Sequence, residues 1–104
     1  MSDSAFESLA DSLLASLEAG LSDGADIDSA ELQGGVLTIE ADAGTWLVNK
    51  HAPTRQIWLS SPKSGARHYA YDPQSSLWKD TRGGEDLLTT LSSELGTALS
   101  WMPA

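Results

Sequence analysis

Acidic residues open the chain at a spacing suited to holding cations. Asp3, Glu7 and Asp11 recur every four positions, and Glu18 follows seven later. At about 100° per residue they share a sector of about 80° on one helix face. Asp23, Asp26, Asp28 and Glu31 continue the series just beyond. Exposed carboxylates offer hard oxygen ligands without fixing a geometry, so a divalent ion would bind weakly and keep much of its water. The run from Asp23 to Glu31 lacks the Asp-x-Asp-x-Asp-Gly spacing of a calcium loop. Its plain alternative is a solvated acidic face.

A second group of residues points to a protein partner. In QIWLSS, residues 56–61, period-2 alternation sends Ile57 and Leu59 to one face and Gln56, Trp58 and Ser60 to the other. A large aromatic on the solvent side of a sheet is costly unless something covers it. Asn49 joins Gln56 and Trp58 if their strands pair through the His51–Thr54 turn, and Arg67 or His68 arrives from the next strand. An indole among amides and a base has the composition of an interface hot spot. Alternatively, Trp58 covers part of the sheet or is sealed by the loop around Pro62.

Conventional catalysis finds little support. His51 and His68 are the only histidines, and neither has a recognisable nucleophile motif beside it. Ser60-Ser61-Pro62-Lys63 lacks the Gly-x-Ser-x-Gly elbow, and no glycine loop cradles a phosphate. With no cysteine, disulfides, thiolate chemistry and cysteine-ligated metals are excluded.

The elements that must position these residues follow from the hydrophobic pattern. Phe6, Leu9, Ala10, Leu13, Leu17 and Leu21 predict a helix over 4–21, with Ser2 or Ser4 as its cap. Gly34-Gly35 marks a hairpin between ELQ and VLTIEA. Asp42-Ala43-Gly44, Pro53, Pro62 to Gly65 and Asp72-Pro73 punctuate further strands, so an antiparallel meander spans about 27–77 and ends in a short LWKD segment. A second helix is expected over 85–101, with Glu85 and Asp86 in its first turn and Gly96 inside it. The fold class is α+β, a two-layer sandwich with two helices on one face of five or six antiparallel strands. Trp58 then lies on the open face. The 104 residues form one domain, 1–104.

The net charge of −9 is lopsided. Residues 1–42 carry ten acids and no Lys or Arg, whereas 43–104 carry five acids and all six bases. Nucleic acid and anionic membrane are poor partners for such a surface; cations and basic protein surfaces suit it. No run approaches the roughly 20 apolar residues of a membrane span. The acidic, amphipathic N-terminus lacks signal or transit character, so a cytosolic protein or a processed mature chain is expected.

VNKHAPTRQIWLSSPKSGARHY, preceded by GGVLTIE and by the acidic helix SAFESLADSLLASLE, resembles the signature of the frataxin family, bacterial homologues included. The likeness runs over nearly the whole chain and agrees in element order. It implies an iron-binding protein of iron–sulfur cluster assembly, in the bacterial cytoplasm or, as a mature chain, the mitochondrial matrix. Such a protein binds Fe²⁺ or Fe³⁺ weakly through an acidic ridge, mapped here to Asp3, Glu7, Asp11, Glu18, Asp23, Asp26, Asp28 and Glu31. It docks on the cysteine desulfurase–scaffold complex through a sheet surface mapped to Asn49, Gln56 and Trp58, with Arg67 and His68 after the loop. A monomer is expected, with iron-dependent oligomers as the alternative. Ala19 and Gly20 depart from the charge that relatives carry there, which bears on iron capacity. Ferroxidase or storage activity on the same carboxylates and an adaptor unrelated to iron remain as alternatives.

Overall fold

In the computed structural model, which describes residues 1–22, 24 and 26–103, Ser2 starts the first helix. Its Oγ accepts the Ala5 amide at 3.1 Å, satisfying one of the amides that a helix start leaves unpaired. Helix α1 (Asp3–Ser22) buries Phe6, Ala10, Leu13, Leu14, Leu17 and Leu21 along one stripe. Each buried leucine contributes about 1.5–3 kcal/mol, so this stripe fixes the helix on the sheet.

Six strands follow: β1 (Ile27–Gln33), β2 (Val36–Ala41), β3 (Gly44–His51), β4 (Gln56–Ser61), β5 (Gly65–Asp72) and β6 (Leu77–Asp80). They pair antiparallel in chain order, the expected meander at its upper strand count. Gly34 and Gly35 have φ of 59° and 79°, the left-handed pair that a two-residue hairpin needs. A short 3₁₀ turn (Ala52–Thr54) joins β3 to β4.

The register assigns each side chain to a layer. Leu37, Ile39, Trp46, Val48, Ile57, Leu59, Tyr69 and Trp78 are buried beneath the helices. The intervening residues Asn49, Trp58 and His68 lie in one row across β3, β4 and β5 on the uncovered face. The two faces therefore separate as the alternation requires.

Helix α2 (Leu87–Leu95) is shorter than the expected 85–101. Asp86 precedes it as the cap, accepting the Thr89 amide at 3.3 Å, so Glu85 and Asp86 lie outside the first turn. Gly96 ends it, with φ of 66° and its amide on the Ser92 carbonyl. Glycine adopts this left-handed cap without a Cβ clash, which explains why it terminates the helix and is not carried inside it. The chain then runs back across α1. There Trp101 is buried, donates from Nε1 to Ser12 Oγ at 3.1 Å, and meets Tyr71 edge-on with ring centroids 6.0 Å apart. Thus the apolar residues of the tail close the core without being helical.

Candidate functional site

Trp58 is held between two imidazoles. The His51 ring stacks on one face of the indole at 3.7 Å and 10°, and His68 on the other at 4.3 Å and 8°. Cross-strand pairing delivers both contacts. His68 lies directly opposite Trp58, and His51 lies opposite Gln56, diagonal to the indole. Trp58 Nε1 donates to Gln56 Oε1 at 2.9 Å, and Asn49 is its direct partner on β3. Asn49, Gln56, Trp58 and His68 therefore come together as expected, but the indole is not bare. Its π faces are covered and its edge opens on a groove of about 200 Å³, whose rim includes Leu47, 39% exposed. The Pro62 loop does not seal it. Pro62 lies instead against Gly44, where an added Cβ would come within 2.8 Å of the proline.

Arg67 does not join this cluster. It pairs with Leu59, a buried residue, so its side chain goes to the helix side. There Nη1 donates to Asp80 Oδ2 at 3.0 Å, beside a cleft of about 290 Å³ shared with Glu85, Thr90 and Glu94. Period-2 alternation forbids adjacent residues 67 and 68 from sharing a face. The basic position next to Trp58 is His68.

The acidic series divides into three environments. Asp3 pairs with Arg55 at 2.8 Å. Lys50, projecting from β3 on the helix side, bridges Glu7 and Asp11, the latter at 2.8 Å. Hydrogen bonds to Asp11 and then Glu7 raise the Lys50 pKa above 10.5, with desolvation opposing them. Glu18 has a different partner: its Oε2 accepts the Leu32 amide at 2.8 Å, on edge strand β1. The carboxylate ties the helix to an edge that would otherwise present that N–H. Asp26, Asp28 and Glu31 are exposed and form no ion pair among the described residues. Asp28 occupies an irregular register position between Ile27 and Ser29, and Glu31, opposite Thr38, lies on the open face in the row of Leu47 and Ser60, next to that of Trp58. Asp23 lies outside the described residues. Among the described residues no three His, Asp or Glu side chains gather closely enough to hold a metal. These carboxylates stand apart from one another, and Glu7 and Asp11 are already engaged by an internal cation.

The structure adds two kinds of residue to these surfaces. His51 was legible in principle, since it lies two positions beyond Asn49 on the same strand face and opposite Gln56. Lys50 and Arg55 carried no local signal, because their acidic partners are 39 to 52 residues away in the chain.

The molecule is an open-faced α+β sandwich, with an aromatic cluster on the uncovered sheet and carboxylates along its first helix. The family model described as "Frataxin-like domain" matches residues 1–100. Mitochondrial frataxin of Dictyostelium discoideum is 40% identical over 96 residues, covering 91% of this chain and 48% of its own length. The iron-sulfur cluster assembly protein CyaY of Dechloromonas aromatica is 39% identical over 95 residues, covering 89% of this chain and 88% of that protein. Among solved structures, the frataxin of Psychromonas ingrahamii superposes with a TM-score of 0.79 at 30% identity, covering 96% of this chain and 97% of that one. Trimeric frataxin from Saccharomyces cerevisiae, complexed with ferrous iron, has a TM-score of 0.69 at 36% identity, covering 97% of this chain and 88% of that one. The chain belongs to the frataxin-like family. It spans about half the length of the mitochondrial relatives it matches, from 44% to 56%.

Proposed function

We propose that this chain serves iron–sulfur cluster assembly as a small binding module. It docks on the cysteine desulfurase–scaffold complex and carries iron loosely on its acidic surface. The observation that carries this reading is the convergence of Asn49, Gln56, Trp58 and His68 on a sheet face that no element of the described chain covers. A rigid aromatic with satisfied polar neighbours contributes directional contact once water is excluded. The lopsided net charge of −9 adds long-range attraction to a basic surface, felt mainly in the encounter rate and screened by salt. Docking through the open face leaves α1 accessible, so one domain can hold a partner and meet a cation at the same time.

Iron is held weakly, because exposed carboxylates leave the ion much of its water. Among the described residues Asp26, Asp28 and Glu31 form no ion pair, while Glu7 and Asp11 must first release Lys50. A pull-down with desulfurase and scaffold at low and high salt, paired with a sulfide-production assay, tests the function. Capture that weakens with salt, together with a changed sulfide rate, is expected. An unchanged sulfide rate with no capture at low salt would refute it.

A further inference from the structure

We propose that the cleft between β5 and helix α2 takes a small zwitterion of the α-amino acid class, its carboxylate on Arg67 Nε and the Tyr69 hydroxyl and its ammonium on Glu94 and Glu85. The cleft lies on the helix side of the sheet, away from Trp58, so its occupancy does not depend on the docking described above. Its volume is about 290 Å³. Sites that enclose drug-sized ligands span about 300–1,000 Å³, so the occupant here is smaller than those.

Two buried donors without a partner border this space. Arg67 Nε makes no hydrogen bond among the described residues, although Nη1 of the same side chain donates to Asp80 Oδ2 at 3.0 Å. Guanidinium N–H groups are donors only, so whatever relieves Nε brings an acceptor. Tyr69 is 0% exposed, and its hydroxyl also lacks a partner among the described residues. The groups that act on that hydroxyl include Thr90, Arg67 and Glu94, all three in the cleft wall. Thr90 Oγ1 gives its own proton to the Asp86 carbonyl at 3.0 Å and makes no bond of normal geometry to Tyr69. Burial raises the Tyr69 pKa above 10.0, so the hydroxyl keeps its proton and can donate it. A buried donor left unmatched is costly, and two beside one cleft call for an acceptor such as a carboxylate.

Asp80 holds the guanidinium in place. Its side chain is 3% exposed, and its Oδ1 accepts the Arg82 amide at 2.8 Å, so the pair is fixed from both ends. Gly84 closes over it: an added Cβ would come within 2.6 Å of Asp80 Oδ2 and 3.2 Å of Arg67 Nη1. The wall supplied by α2 and the residues before it is acidic. Glu94 Oε1 takes the bonds from Trp46 and Ser61, while Oε2 accepts none among the described residues. Glu85 also lines the cleft and is exposed. A simple anion would meet these two carboxylates, and a simple cation would leave the two donors unmatched. An α-amino acid carries both charges on neighbouring atoms of one small molecule and answers both walls. Ser93 adds a hydroxyl that can donate or accept.

The test is a titration with glycine at about pH 7, where the probe is a zwitterion, followed by amide NMR shifts at constant ionic strength. Saturable shifts centred on Gly84, Thr90 and Ser93 are expected, with an affinity of about millimolar, the scale open to so small a ligand. Acetate and methylammonium, each carrying one of the two charges, should bind at least about tenfold more weakly. Either of them binding as tightly as glycine would reduce this to a site for a single charge. No saturable shift at those amides would mean that the cleft holds water only. Each result overturns the inference. Two variants assign the ends of the ligand. Tyr69→Phe keeps the ring and should be no less stable than wild type without glycine, yet bind glycine about tenfold less tightly. Glu85→Gln, at an exposed position, should fold like wild type and bind about threefold less tightly. Unchanged glycine affinity in either variant would overturn the proposed contacts. So would a ligand-free Tyr69→Phe protein that melts well below wild type, since its hydroxyl would then have been bonded already.

Discussion

Lys50 donates to Asp11 at 2.8 Å, so a sheet cation already occupies the place on α1 that the acidic spacing offers to a metal. The same ammonium contacts Glu7, one turn earlier. Lys50→Met should therefore raise the affinity of this half of the helix for Fe²⁺ or Co²⁺ about 3- to 10-fold at low salt. Stability should change by less than about 1 kcal/mol, because Asp11 is 60% exposed and the pair is screened. Calorimetric metal titration checks the affinity; an unchanged value would remove the competition between ammonium and metal. The raised Lys50 pKa gives a sign for pH as well. Its contribution is complete below the ordinary value of 10.5 and is lost as pH rises through the folded value, so the stability gap between wild type and variant should close in alkali.

Glu18 has a structural duty that must be separated from any metal duty. Glu18→Ala should cost about 1–3 kcal/mol in urea unfolding, since it leaves the Leu32 amide without its acceptor. Glu18→Gln keeps an acceptor oxygen and should cost much less. If the two variants are equally destabilised, the bond to the edge strand is not what Glu18 contributes. If only the alanine variant loses stability while both lose metal affinity equally, the two duties are distinct.

Glu94 joins α2 to the sheet, accepting from Trp46 Nε1 at 2.9 Å and from Ser61 Oγ. Burial pushes its carboxyl upward, but the hydrogen bonds from Ser61 and Trp46 outweigh that and hold it below the ordinary 4.5. A depressed carboxylate stabilises the fold above 4.5 and loses that contribution as pH falls through the folded value. Glu94→Ala should lower stability by about 2–4 kcal/mol at neutral pH, by stranding an indole N–H and a hydroxyl. The deficit should shrink in acid, as pH falls through the folded value and the wild-type carboxylate takes up its own proton. Denaturant melts at neutral and at acid pH check this; a deficit independent of pH would point to packing alone.

Much of the architecture was legible because it depends on local pattern. The 3–4 spacing from Phe6 to Leu21 and the Gly34-Gly35 hairpin report on neighbours within a few residues, and both elements formed where their patterns lie. Helix α2 was overextended because Ala98 and Leu99 continue an apolar period that Gly96 interrupts in backbone conformation. The same apolar tail instead folds over α1 through Trp101. Site residues followed the same division. Alternation identified Trp58 and its amide neighbours, and the same rule separates Arg67 from His68 once the register is known. Lys50 and Arg55 lay beyond reach, since their ion pairs depend on how α1 crosses the sheet end. Counting acids therefore overstates how many carboxylates face water unpaired.

The most direct measurement is the affinity of Trp58→Ala for the desulfurase–scaffold complex, taken beside its thermal melt. An indole that contacts other chain groups mainly through two surface imidazoles and Gln56 should leave the helix-side core unchanged when removed. Docking predicts a melt within a few degrees of wild type and affinity at least about tenfold weaker. Unchanged affinity in a folded variant would contradict the docking face outright.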